Sequence, residues 1–306
     1  MSTAEIDSRD EDLDDEETSE EEEESEEDAE TKPLEAKKKS SGGVEARAPK
    51  AVAGESGMSG LVQNTLTIAR RETHAYFDSL VAYVVIGGST LGLGIYFFLM
   101  QSGGFWQVDR ASMSRLFEFM PWALAVLVIP LITMRALAEE KRSGTLELLI
   151  TMPVRDSEVI LGKYFAALAM ATILLGTTLL YPIAMFMWPW HLGALDWGPV
   201  WCAYFGLLMF SFAGTAIGIL FSSITESQII AFFLTAGTLV LLTIVGGLAE
   251  VMRGPAGDVI SFVSFQTRFG SFARGLLDTR AVLYFASVAV LCLLGAFRAL
   301  ESRKWK

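Results

Sequence analysis

The chain has 306 residues, 52% of them hydrophobic, and a formal net charge of −12. The charge is uneven: residues 1–59 hold 21 of the 36 acidic and 7 of the 24 basic residues, which leaves 15 acids against 17 bases in residues 60–306. An acidic tail on a nearly neutral, very apolar body excludes a basic nucleic-acid binder, and no nucleic-acid partner is expected.

The tail runs EDLDDEETSEEEEESEEDAE and then turns basic and small at KKKSSGGVEARAPK. Like charges this dense repel and have little to bury, so residues 1–59 read as a disordered acidic, then basic, cytoplasmic tail. It serves either to solubilise or to dock a basic partner, and Lys37 to Lys39 offer a weak contact for anionic membrane lipid.

Next, Val62, Leu66, Ala69, Tyr76 and Leu80 recur at helical spacing, with Gln63, Thr67, Arg70, Arg71, His74 and Asp78 opposite. This predicts an amphipathic helix lying in the membrane interface. Residues 60–306 then form one transmembrane domain. Crossing the hydrocarbon core takes about 20 apolar residues as helix. Six segments meet or approach that length: Leu80–Met100, Leu116–Met134, Tyr164–Trp188, Val200–Phe221, Ile229–Leu248 and Ala281–Phe297. Only the second carries a charge, Glu118, at its edge. Pro130 and Pro182 fall inside spans, where neighbouring helices can satisfy the freed carbonyls. Gly214-x-x-x-Gly218 has the spacing of close helix approach. Cys202 and Cys292 lie in spans, without metal or disulfide spacing, and read as packing residues.

Between the second and third spans lies a charged island, Arg135 to Pro153, with five charged residues within Arg135 to Arg142. Ser143 or Thr145 can cap a short helix over Thr145–Ile150, with Pro153 as its stop. Before the last span, Phe262, Phe265, Phe269, Phe272 and Leu276 share a helical face and predict short outer helices. They serve as packing or as the lining of an exit.

Lys and Arg count eleven on one side of the membrane and six on the other if the N-terminus is inside. That orients the protein with both termini cytoplasmic and the island cytoplasmic too. The chain has no Walker A sequence, no H-E-x-x-H and no G-x-S-x-G. Its spans have almost none of the acids and bases that proton- or ion-coupled carriers use. No catalytic residue, metal site or cofactor is therefore expected in this chain.

Three blocks, RRETHAYFDSLVAYVV at Arg70–Val85, IPLITMRALAEEKRSGTLELLITMPVRDSEVILGKYFAAL at Ile129–Leu168 and SFARGLLDTRAVLYF…RALESRKW at Ser271–Trp305, resemble ABC-2 type transporter permeases, closest to the gliding-motility-associated branch. The resemblance implies an all-α integral membrane protein with six transmembrane helices, an elbow helix and a coupling helix between spans two and three. It implies that Glu139, Glu140, Lys141, Arg142, Ser143, Gly144, Thr145 and Glu147 face an ABC ATP-binding subunit, which would bind ATP and Mg. It further implies a second permease subunit in a homo- or heterodimer, and the gliding-type branch adds a periplasmic auxiliary subunit. Arg274, Gly275 and Asp278 match its outer motif. Leu80 stands where relatives often carry proline, and residues 1–59 lie outside the three blocks.

A related branch serves copper-enzyme maturation, but Met185 and Met187 diverge by about 200° on a helix and suit packing better. The expected function is the permease of an ATP-driven exporter in the cell (inner) membrane. The alternative is a membrane scaffold of a motility or envelope complex, using the ABC-like module without substantial transport.

Overall fold

The computed structural model describes residues 58–100, 113–144, 155–186, 195–251 and 254–302. Every regular element among them is helical, the form in which an apolar segment satisfies its own backbone without water. The tail lies outside the described residues, as do the expected helix Thr145–Ile150 and Met187. Six helical segments are long and apolar enough to cross a bilayer: Ala82–Leu99, Ser114–Arg142, Asp156–Phe186, Trp197–Ile224, Gln228–Leu248 and Thr279–Glu301. These are spans one to six, and they bear out the six read from hydropathy.

The spans sort into an inner and an outer set. Span four is the centre: Leu207, Phe210, Ala213, Ala216 and Ile219 are fully buried, and it packs on spans two, three and six. Spans one, five and six leave large apolar side chains bare, among them Leu91, Ile229, Phe233, Leu241, Leu283 and Leu291. So much exposed apolar surface suits contact with lipid, where it carries no penalty.

Gly214 and Gly218 mark where spans four and two meet. A Cβ at Gly214 would lie 2.6 Å from Ile129 Cδ1, and one at Gly218 would overlap the Thr133 side chain. The small-residue spacing is thus a close-approach face within the subunit.

The prolines shape two spans. In span two, the wider π turn Leu124–Val128 separates Pro121 from Pro130, a local adjustment to missing N–H donors. In span three, the helix Asp156–Thr178 gives way to Leu180–Phe186, because Pro182 cannot donate to the Thr178 carbonyl. The Thr178 hydroxyl is itself bonded within the core, to the Leu175 carbonyl and with the Tyr204 hydroxyl.

Before span six come two short helices, Pro255–Val263 and Phe265–Ala273. Phe265, Phe269 and Phe272 are fully or almost fully buried, whereas Phe262 and Leu276 are exposed. Phe265 meets Phe210, Tyr284 and Phe285 edge-on. The expected single aromatic face is therefore divided, and its three middle members are core.

The first helix, Met58–Asp78, packs along span three. Its predicted polar face is exposed, and Val62 and Leu66 of the apolar stripe are exposed too, as an interfacial helix requires for contact with lipid. Thr65, Ile68, Glu72 and Tyr76 turn towards the protein instead. Gly162 allows the close contact with span three: a Cβ there would come within 2.5 Å of Ile68 Cγ2, so only glycine admits that side chain.

Candidate functional site

Span two continues past its apolar part. A turn at Met134–Leu137 leads into the helix Ala138–Arg142, which Ser143 and Gly144 close. The first half of the charged island is therefore the end of span two rather than a separate loop. The turn leaves the amide groups of Leu137 and Ala138 without helical acceptors. The buried Ser222 hydroxyl at the end of span four accepts both, each at 3.0 Å, as a capping side chain does. Lys141 Nζ donates to the Ser223 carbonyl, placing a cation at the C-terminal end of span four where the helix dipole favours it. Gly144 adopts φ 73°, the left-handed conformation that ends a helix most readily with glycine.

Glu140 turns inward. Its Oε1 lies 2.7 Å from Lys163 Nζ, and Lys163 also reaches Glu72 Oε2 at 3.4 Å. Lys163 is only 4% exposed. An ammonium that far from water persists when carboxylates surround it. The triad fastens three elements together: the first helix, the end of span two and the start of span three. Glu158, also buried, accepts from Asn64 at 3.2 Å and from the Arg155 amide at 3.4 Å. It caps span three and holds the first helix at once. The Tyr76 hydroxyl donates to the Ile132 carbonyl at 3.1 Å. Burial, reinforced by the Glu72 carboxylate, holds this phenol above its ordinary pKa, so it remains a donor.

Of the eight residues matched to the ATPase-facing segment, Glu139 to Gly144 fall on this block, while Thr145 and Glu147 lie outside the described residues. Glu139, Arg142, Ser143 and Gly144 are exposed, and Glu140 and Lys141 are half-buried against the protein. Sequence reading found the island but not Glu72, Glu158 or Ser222, and Lys163 figured in it only as a charge that sets orientation. The available signal was a Gly-Lys pair where span three turns apolar.

The outer motif is a joint between two helices. Gly275, at φ 82°, follows the helix Phe265–Ala273. Its amide donates to the Phe272 carbonyl at 2.9 Å, and that of Leu276 to the Ser271 carbonyl at 3.0 Å. This pair of bonds is a Schellman stop. Asp278 starts span six by accepting from the Arg280 amide at 2.9 Å. Arg274 Nε donates back to the Gly270 carbonyl at 3.1 Å. The described residues thus give Gly275 and Asp278 a structural role in setting where span six begins.

The family model described as ABC-2 family transporter protein matches residues 12–294. The chain belongs to the ABC-2 transporter family. It is accordingly a multi-pass membrane protein and a permease subunit of an ABC transporter, and membership implies association with an ABC ATP-binding subunit. The match begins well inside the acidic tail and stops before Arg298, so it extends further upstream than the three sequence blocks. No curated protein matches the chain.

Proposed function

We propose that this ABC-2 permease subunit is part of an exporter, with residues 138–147 as the surface on which the ATP-binding subunit acts. The observation that carries this reading is an exposed tip, Glu139 and Arg142 to Gly144, on a block that the Lys163 triad ties to the first helix and to span three. A push on the tip is delivered to the first helix and to spans two, three and four together, because packed and ion-paired elements move as units.

In this reading the first helix is the elbow at the cytoplasmic face, its exposed Val62 and Leu66 turned to lipid. Both termini are cytoplasmic, and Thr145 and Glu147 belong to the coupling segment with Glu139 to Gly144. Two such subunits form the transmembrane dimer in the cell membrane. ATP and Mg bind the partner ATPase, whose closure switches the dimer between inward- and outward-facing states. The gliding-type branch supplies the context, with a periplasmic auxiliary subunit.

Because Glu140 is held by Lys163, charge reversal there would disturb the fold as well as the surface. Arg142→Glu, at an exposed position outside the internal ion pairs, tests the surface alone. The reading expects loss of ATPase assembly and of stimulated ATP turnover with the permease still folded. Unchanged assembly and turnover would sink it.

A further inference from the structure

Beside the triad, a cavity of about 350 Å³ opens among the first helix and spans one, two and three. Its two halves differ. One is apolar, lined by Ala82, Val85, Leu131, Ile132 and Met170. The other is charged, lined by Glu72, Arg135, Glu139, Glu140 and Lys163, with the Tyr76 ring alongside. The cations in it differ in engagement. Lys163 is taken up by Glu72 and Glu140, whereas Arg135 Nε is buried without a hydrogen-bond partner. That N–H calls for an acceptor, and an oxyanion suits it because a guanidinium binds one through several donors at once.

A simple anion does not fit the rest of the lining. Three carboxylates face two cations, so a lone phosphate or carboxylate meets net repulsion. A ligand carrying an anion and a cation a few bonds apart meets both demands, with the anion on Arg135 and the cation on Glu139 or Glu72. The apolar half calls for hydrocarbon on the same molecule. The volume is at the small end for ligand pockets, enough for a headgroup and the first carbons of its chains.

We infer that this cavity is a resident site for a zwitterionic aminophospholipid, with its phosphate on Arg135 and its ammonium on the Glu139–Glu72 side. A primary ammonium suits carboxylates because it donates hydrogen bonds, which a quaternary ammonium cannot. The bound headgroup would sit against the triad and between the elements it joins, independent of the cargo.

The test uses the full-length permease, purified and presented with phosphatidylethanolamine, phosphatidylcholine or phosphatidylglycerol, with retained lipid counted by native mass spectrometry. Phosphatidylethanolamine should bind most tightly. Arg135→Gln should weaken it about tenfold, the loss of one charge-assisted contact. Ala82→Phe fills the apolar half from span one without touching a charge, and should weaken it comparably. It carries the test if Arg135→Gln does not fold. Equal retention of phosphatidylethanolamine by wild type and a folded variant would overturn the site. Equal or tighter binding of phosphatidylglycerol would overturn the zwitterionic assignment, and equal binding of phosphatidylcholine the role of the ammonium donors. Binding is read without nucleotide or ATPase, so its failure leaves the coupling reading intact, and failure of coupling leaves this one.

Discussion

Lys163 Nζ lies 2.7 Å from Glu140 Oε1, and this contact joins the first turn of the charged helix to a site two turns into span three. The ammonium is nearly inaccessible, whereas the Glu140 side chain keeps about a quarter of its exposure. Losing the cation would strand two carboxylates at one place. Lys163→Met should therefore destabilise the permease by about 3 kcal/mol, the lower end for a broken buried pair because both carboxylates touch solvent. Adding Glu72→Gln and Glu140→Gln should restore much of it. Thermal unfolding in detergent measures both, and additive losses in the triple variant would argue against the triad.

Two glycines of span three separate packing from helix propensity. A Cβ at Gly162 would collide with Ile68, while nothing lies within 4 Å of one at Gly176. Gly162→Ala should destabilise by about 1–3 kcal/mol through overpacking. Gly176→Ala should be neutral or stabilising by up to about 1 kcal/mol. Equal unfolding midpoints for the two variants would show that the first helix does not sit on Gly162.

The outer joint gives a similar contrast. Gly275 has φ 82°, and a Cβ there would meet Pro199 at 3.2 Å. Gly275→Ala should cost about 1–2 kcal/mol from left-handed backbone alone. Asp278→Ala should cost about 1 kcal/mol as a lost cap, and Asp278→Asn or Asp278→Ser much less. If Asp278→Asn lowers the unfolding midpoint as far as alanine does, its charge matters beyond capping.

Periodicity and hydropathy made much of the fold legible. Six apolar runs became six spans because a helix in lipid needs only length and apolarity. Where span two stops was hidden, since its charged end is kept helical by Ser222, a residue from another span. Which side of the first helix packs on the protein was hidden for a like reason. Val62 and Leu66 outweigh Ile68 on any apolar count, but Gly162 and Lys163 decide which face turns inward. At the site, the island was visible as a cluster of charges. Which of them point out and which are spent internally depends on tertiary pairing, which spacing does not encode.

The acidic tail separates transport from scaffolding. The exporter reading expects deletion of residues 1–59 to leave complex assembly and ATP turnover unchanged. Co-purification with the ATPase and the ATP turnover of the complex measure this. Loss of assembly with its partners at normal turnover would favour the scaffold.

The most direct test of the account is the ATP turnover of the reconstituted complex carrying Arg142→Glu. The Arg142 side chain is exposed on the tip, while Glu140 and Lys141 hold the block from behind. The account predicts a normally folded permease that no longer retains or stimulates its ATPase. Wild-type assembly and turnover in that variant would contradict it.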